Sequence, residues 1–216
     1  MRPLPSFRGK SVLVVSPHPD DEAIAAFGVI HRAAREAMRV GVVVVTDGAA
    51  SHDSRKWPQR RLARQRARET QAAMARAGLS RGQVSFLGLP DSGLERLSEE
   101  EFARLVRALR GQGAPDLVFR PSVKDYHGDH KVVARACEAA WPARVRQFSY
   151  VVWPEEASRF KPRYRLPLGA VRRMKHAAIR SYRSQTGLVD DDPAGFTMSR
   201  AMIAGFCPPA ETFEPA

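Results

Sequence analysis

Ser11-Val12-Leu13-Val14-Val15-Ser16-Pro17-His18-Pro19-Asp20-Asp21-Glu22 is the stretch on which the reading of the chain turns. After Ser11, its next four residues are apolar without alternation, as expected of a strand buried on both faces. Two prolines stop the run, and from Asp21 to about Arg39 an Ala-rich segment places apolar residues at helical spacing. A second apolar run, residues 40–45, ends in Thr46-Asp47-Gly48. Strand, helix and strand in that order predict a right-handed βαβ crossover and a parallel sheet.

The alternation continues outward from there. A polar loop over residues 49–59 leads to a helix at about 60–77 that Gly78 closes, then to a strand at 84–87. Ser98 and Glu101 form a capping-box pair opening a helix to about Arg110, and residues 117–120 make a fourth strand before a helix at about 131–140. The last third is less regular: a strand is expected at 148–153 and a helix at 172–183, while 196–206 fits either. The expectation is α/β: one domain over residues 1–216, a mostly parallel Rossmann-like sheet flanked by helices, with a less regular C-terminal third.

A length of 216 residues suits one domain with a sizeable core. With 44% hydrophobic and 27% charged residues the chain is neither disordered nor fibrous. The longest apolar runs fall far short of the roughly 20 residues a membrane span needs. Cys137 and Cys207 form no C-x-x-C pair, so no disulfide framework is expected and both read as small core residues. The first residues lack a signal-peptide segment, which sets the cytoplasm as the expected location. A net charge of +12 favours anionic partners over long range. Nucleic acid is disfavoured among them, because the basic residues run along helices without interleaved aromatics.

In an open parallel sheet, ligands bind beyond the carboxyl ends of the strands. The residues expected there are His18, Asp20, Asp21 and Glu22; Thr46, Asp47 and His52; Asp91; and Asp125, His127, Asp129 and His130. A dinucleotide site would need glycines in the first loop, and residues 17–21 contain none. Imidazoles and carboxylates without thiolate suit zinc or another borderline divalent metal. His18 and Asp21 can reach one ion across the turn, with His127 or His130 as the third donor, and Asp20 would stay free to take a proton from an activated water. Each motif alone has a plainer reading: the paired aspartates as a helix N-cap, the histidine pair as a solvated loop, Asp47 and Asp91 as turn formers. His31, His52 and His176 read as surface residues, and Trp153 as core or pocket wall.

Pro17-His18-Pro19-Asp20-Asp21-Glu22 and His127-Gly128-Asp129-His130, with Thr46-Asp47-Gly48, Arg66 to Glu69, Leu89-Pro90-Asp91 and Tyr182-Arg183-Ser184-Gln185, make the sequence resemble the LmbE/PIG-L family of zinc-dependent N-deacetylases, which act on N-acetylglucosaminyl and related amides. The resemblance implies Zn2+ held by His18, Asp21 and His130, with Asp20 as general base and then acid. It implies His127 as oxyanion stabiliser or proton donor, oriented by Asp129, and substrate contacts from Arg66, Asp91, Asp47 and Tyr126. Two departures stand out: Ala25-Ala26-Phe27-Gly28 replaces a glycine-rich run, and Asp125 stands where some members carry a tyrosine, with Tyr126 beside it. The expected substrate is a small or lipid-linked N-acyl amino sugar, met in the cytoplasm or at the inner face of a membrane. Arg66 and Arg120, expected near the rim, point to an anionic conjugate. The competing readings are a metal-dependent hydrolase of a phosphoester or non-sugar amide, and a non-catalytic anion- or nucleic-acid-binding module.

Overall fold

Ser11–Ser16 forms strand β2 and Arg39–Thr46 strand β3, paired in parallel from Ser11↔Arg39 to Ser16↔Val44, with helix α1 (Asp21–Glu36) between them. The computed structural model describes residues 1–141, 145–154 and 159–216. Successive side chains in these strands enter two different cores, which is why the runs are apolar without alternation. Val12, Val14, Val42 and Val44 belong to one core, and Leu13, Val15, Val43 and Val45 to the other.

The remaining elements are β1 (Arg2–Pro3), α2 (Gln59–Ala77), β4 (Val84–Leu89), α3 (Glu99–Arg110), β5 (Leu117–Pro121), α4 (Gly128–Ala140), β6 (Arg146–Tyr150), β7 (Tyr164–Pro167), α5 (Val171–Arg180), α6 (Arg200–Gly205) and β8 (Ala210–Pro215). Helices α1, α2 and α5 pack on one face of the sheet, and α3 and α4 on the other. The capping box at Ser98 forms as expected, its hydroxyl accepting from Glu101 N and the Glu101 carboxylate accepting from Ser98 N. Cys137 and Cys207 are free and buried. Among the described residues no helix is long and apolar enough to cross a membrane.

The fold is a single α/β domain with an open, eight-stranded mixed sheet in the order β1-β7-β8-β6-β5-β2-β3-β4. Its C-terminal part departs from the sequence expectation. β8 lies antiparallel between β6 and β7, and the strand expected at 148–153 runs instead from Arg146 to Tyr150. β7, Tyr-Arg-Leu-Pro, alternates half-buried and exposed residues, β8, Ala-Glu-Thr-Phe-Glu-Pro, buries only Glu211 and Phe213, and both end in proline, so neither makes an apolar run. Helix α5 ends three residues short of the expected Arg183, and the ambiguous segment supplies the short α6.

From β2 the chain builds the sheet outward through β3 to β4, then returns to β2's other side with β5 and continues to β6. The direction of growth reverses between β2 and β5. A crevice opens beyond the carboxyl ends of strands that part in this way, and ligands bind there. The Pro17–Asp21 turn follows β2, and the His127–His130 segment follows β5.

Candidate active site

His18, Asp21 and His130 converge in that crevice. His18 Nδ1 lies 3.2 Å from Asp21 Oδ2 and 3.3 Å from His130 Nε2, and His130 Nε2 lies 3.1 Å from Asp21 Oδ2. All three residues are buried. Ligand atoms on a tetrahedron about a metal at roughly 2.0–2.1 Å stand about 3.3 Å apart, so the triangle has the dimensions of three zinc ligands. Burial alone would lower the His130 imidazole, but Asp21 and Asp125 push it up to about 9. Burial likewise opposes ionisation of Asp21, yet His130 and His18 hold that carboxyl well below its ordinary range. The cluster therefore attracts positive charge, which protons or a metal ion can supply.

The far nitrogens of both imidazoles face carboxylates. His18 Nε2 lies 3.2 Å from Asp129 Oδ2 and 3.3 Å from Asp91 Oδ1, and His130 Nδ1 lies 3.1 Å from Asp125 Oδ2. Such partners select the tautomer that turns the other nitrogen's lone pair toward a metal. Asp129 is itself held by Ser92 N at 2.8 Å and Leu94 N at 3.0 Å. Asp125 accepts from Val152 N, Trp153 N and His127 N. Two further donor groupings share the same ring: His18 with His127 and His130, and His18 with Asp91 and Asp129. In the second, the carboxylates already accept backbone N–H groups, as supporting residues do.

Asp20 stands beside the triangle with φ 129°, a conformation that L-residues rarely take. Its side chain makes no N-cap bond; Oδ2 accepts from Arg66 Nη2 at 3.0 Å. Burial, eased by the Arg66 guanidinium and reinforced by Asp21 and Glu22, pushes the Asp20 carboxyl up to about 8. Its backbone N–H donates to Glu22, a buried carboxylate that also accepts from Ser16 Oγ and Tyr182 OH.

A cleft of about 530 Å³ opens over these groups. His18, Asp20, Asp21, Asp91 and His127 line its polar side, and Trp153, Phe196 and Tyr126 line an aromatic side. Another cleft, of about 390 Å³, lies at the opposite, amino end of the strands around Ser11, Arg39 and Gln83 and carries neither histidine nor carboxylate. His127 Nδ1 accepts from Asp129 N at 3.2 Å, which leaves the proton of a neutral ring on Nε2. Burial, and then the His18 and His130 rings, lower its proton affinity. The Asp129 carboxylate, expected to orient His127, faces His18 instead; Asp129 reaches His127 through its backbone amide.

The other expected residues distribute unevenly. Asp91 lines the cleft and accepts from Ala50 N; burial opposes its ionisation, but His18 brings it down to about 2. Asp47 shapes the turn, accepting from Ala49 N and Asp91 N. Tyr126 is 68% exposed at the rim, whereas Asp125 is turned inward beneath His130. Arg66 lines the cleft but is already bonded to Gly48 O at 2.7 Å, Pro19 O at 2.5 Å and Asp20. Arg120 lies away from the rim: its guanidinium is buried against Gln147 and Glu138. His52, read as a surface residue, is buried beside Ser51. Sequence reasoning missed Ser51, Ala194 and Phe196, which belong to none of the motifs.

Gly48 is required twice over. Its φ is +66°, and a Cβ there would stand 2.7 Å from Arg66 Nη1 and 2.8 Å from Pro19 Cδ. Gly48→Ala is expected to displace the guanidinium and destabilise the fold by about 2 kcal/mol. Urea denaturation measures this, and an unchanged midpoint would contradict the packing described.

Residues 13–141, more than half of the chain, match the family described as GlcNAc-PI de-N-acetylase, PIG-L. The chain belongs to the PIG-L family. Solved structures agree on the fold. The N,N'-diacetylchitobiose deacetylase of Pyrococcus horikoshii superimposes with a TM-score of 0.74 at 22% identity, covering 96% of this chain and 84% of that one. The conserved protein TT1542 of Thermus thermophilus gives 0.71 at 26%, covering 94% and 93%. GalB, the 4-carboxy-2-hydroxymuconate hydratase of Pseudomonas putida KT2440, gives 0.66 at 22%, covering 96% of each. A PIG-L-like fold thus accommodates both a deacetylase and a hydratase.

Proposed function

We propose that this chain is a metal-dependent N-deacetylase that removes an N-acetyl or other N-acyl group from an amino sugar. The observation that carries the reading is the triangle of His18 Nδ1, Asp21 Oδ2 and His130 Nε2 beside the unligated Asp20 carboxylate, at the floor of a cleft large enough for a sugar amide. The donor set fits zinc: two imidazoles and one carboxylate, each ring backed by a carboxylate on its far side. Zinc bound there would supply a water acidified toward a pKa of about 7 and polarise the amide carbonyl.

The chain's own residues would do the rest. Asp20 takes the proton from the attacking water and passes it to the departing nitrogen; burial raises its carboxyl and so favours its holding that proton between the two transfers. Arg66 holds Asp20 in place and, through Gly48 and Pro19, ties together the loops after β3 and β2. His127, protonated on Nε2, donates a hydrogen bond to the developing oxyanion or to the leaving group. Asp91, at the cleft wall, accepts from a sugar hydroxyl or receives the ammonium product. No protein nucleophile is needed, so no acyl-enzyme forms.

The test is acetate release from N-acetylglucosamine conjugates by the purified protein, before chelation, after it, and after return of zinc. Release that chelation abolishes and zinc restores is expected. Full activity after exhaustive metal removal would reject the metal assignment. A protein that binds zinc yet releases no acetate from any N-acyl sugar, while hydrating an unsaturated carboxylate, would reject the deacetylase assignment.

The cleft also bears on substrate charge. Among its described lining residues Arg66 is the one guanidinium or ammonium, and it is committed to Asp20. The sugar amide itself is therefore read as neutral, with any phosphate or lipid carrier lying outside the cleft. For a neutral substrate kcat/KM is expected to stay flat between low and moderate salt, because screening acts only on charged partners. A steep fall would restore the anionic conjugate as the preferred substrate.

A further inference from the structure

Helix α1 is not continuous. Ala26, at φ −135° and ψ 16°, breaks it between the turn that carries Asp21 and the longer segment that packs on the sheet. Beyond the break, Gly28 N donates to Glu211 Oε1 at 2.9 Å and Val29 N to Glu211 Oε2 at 3.2 Å. The carboxylate of β8 therefore caps the second segment as an anion caps a helix N-terminus. Lys175 Nζ, on α5, meets Glu211 Oε1 at 2.8 Å, and both side chains are 1% exposed. Gly28 permits the approach: a Cβ there would lie 2.3 Å from Leu168 Cδ2 and 3.0 Å from Glu211 Oε2. Neither Glu211 nor Lys175 lines the cleft.

We propose that Glu211, charge-balanced by Lys175, is a positioning residue that holds the break in α1 and so aims Asp21 at His130. In an unbroken helix each residue is fixed at 100° and 1.5 Å from the last, and the direction of the first turn is dictated by the rest. The break uncouples the two segments, and Glu211 sets the angle at which they meet. A well-packed apolar pair often stabilises a buried position as well as an ion pair does, so stability alone gives no reason for charges here. The backbone N–H groups exposed by the break do.

This inference rests on the metal-centre reading, and cobalt(II) is the probe that separates the two. Glu211→Leu/Lys175→Met removes cap and charge together while keeping apolar volume. Cobalt affinity is expected to fall tenfold or more, with a changed visible spectrum and with kcat reduced more than KM. Glu211→Gln/Lys175→Met retains an acceptor oxygen for Gly28 N and is expected to recover most of the affinity. Leu109→Ala, a core truncation on α3, serves as a control and should leave affinity and spectrum unchanged despite its loss of stability. If the Leu/Met pair does not fold, Glu211→Asp, which keeps the charge and shortens the reach, reads the same quantities. A wild-type spectrum and affinity in the folded cap variants would overturn the proposal. Should the wild type bind no cobalt, the metal reading fails, and amide exchange over residues 21–27 decides the inference: faster exchange there in the cap variants than in Leu109→Ala upholds it, and equal exchange overturns it.

Discussion

His130→Ala is expected to cost metal affinity by more than about 100-fold, and acetate release with it. The imidazole is buried, contributes one corner of the ligand triangle, and is backed by the Asp125 carboxylate. Removing partners behind a metal ligand already costs about 10–100-fold, so deleting the ligand costs more. Metal titration by competition with a chromophoric chelator gives the number. Thermal unfolding gives a second one: a metal at 100 times its Kd stabilises a fold by about 2.7 kcal/mol, a gain the wild type should show and the variant should lack. A His130→Ala protein that holds zinc with wild-type affinity would take this residue out of the ligand set.

Asp20→Asn separates proton transfer from metal binding. The amide matches the carboxylate in shape, tolerates the positive φ, and can still accept from Arg66, so folding and zinc affinity are expected to survive. It cannot take a proton near neutrality. Turnover should fall by about 10²–10⁴-fold, the usual contribution of a positioned acid–base group, with KM changing far less. Near-wild-type kcat would assign the base to another residue. The contrast between the variants is the informative result: one should lose metal and rate together, the other rate alone.

The parallel half of the fold is legible because β2, β3 and β5 lie between two layers and bury nearly every residue, so they read as apolar runs, while the edge strand β4 is short and only half-buried. The histidines and carboxylates are legible for a related reason: they follow those strands directly, so locating a strand end also locates its ligands. What escaped is whatever depends on partners distant in the chain. β7 and β8 are only partly buried, and the place of β8 is decided by β6 and β7 on either side of it. Whether Asp125 or Tyr126 points inward depends on the Val152 and Trp153 amides that receive Asp125. Arg66 was expected to meet substrate, but its bonds to Gly48 and Pro19 come from loops 18 and 47 positions away in sequence. The split of Asp129, carboxylate to His18 and amide to His127, is likewise invisible in a motif that shows only spacing.

The placement of β8 also dictates when the protein can mature. Residues 210–215 form an interior strand, seated between β6 and β7 and carrying the carboxylate that receives Lys175 and the broken helix. On the ribosome these residues emerge after every other element of the sheet. A nascent chain can assemble the parallel β2-to-β5 core as it is made, but β6 must wait with an open edge, and Lys175 with an unanswered charge. Pairings this distant close slowly and leave strand edges exposed to aggregation meanwhile. Arrest or truncation a few residues before 210 should thus yield a species with its histidines already gathered yet prone to association, in need of chaperone cover until β8 is in place.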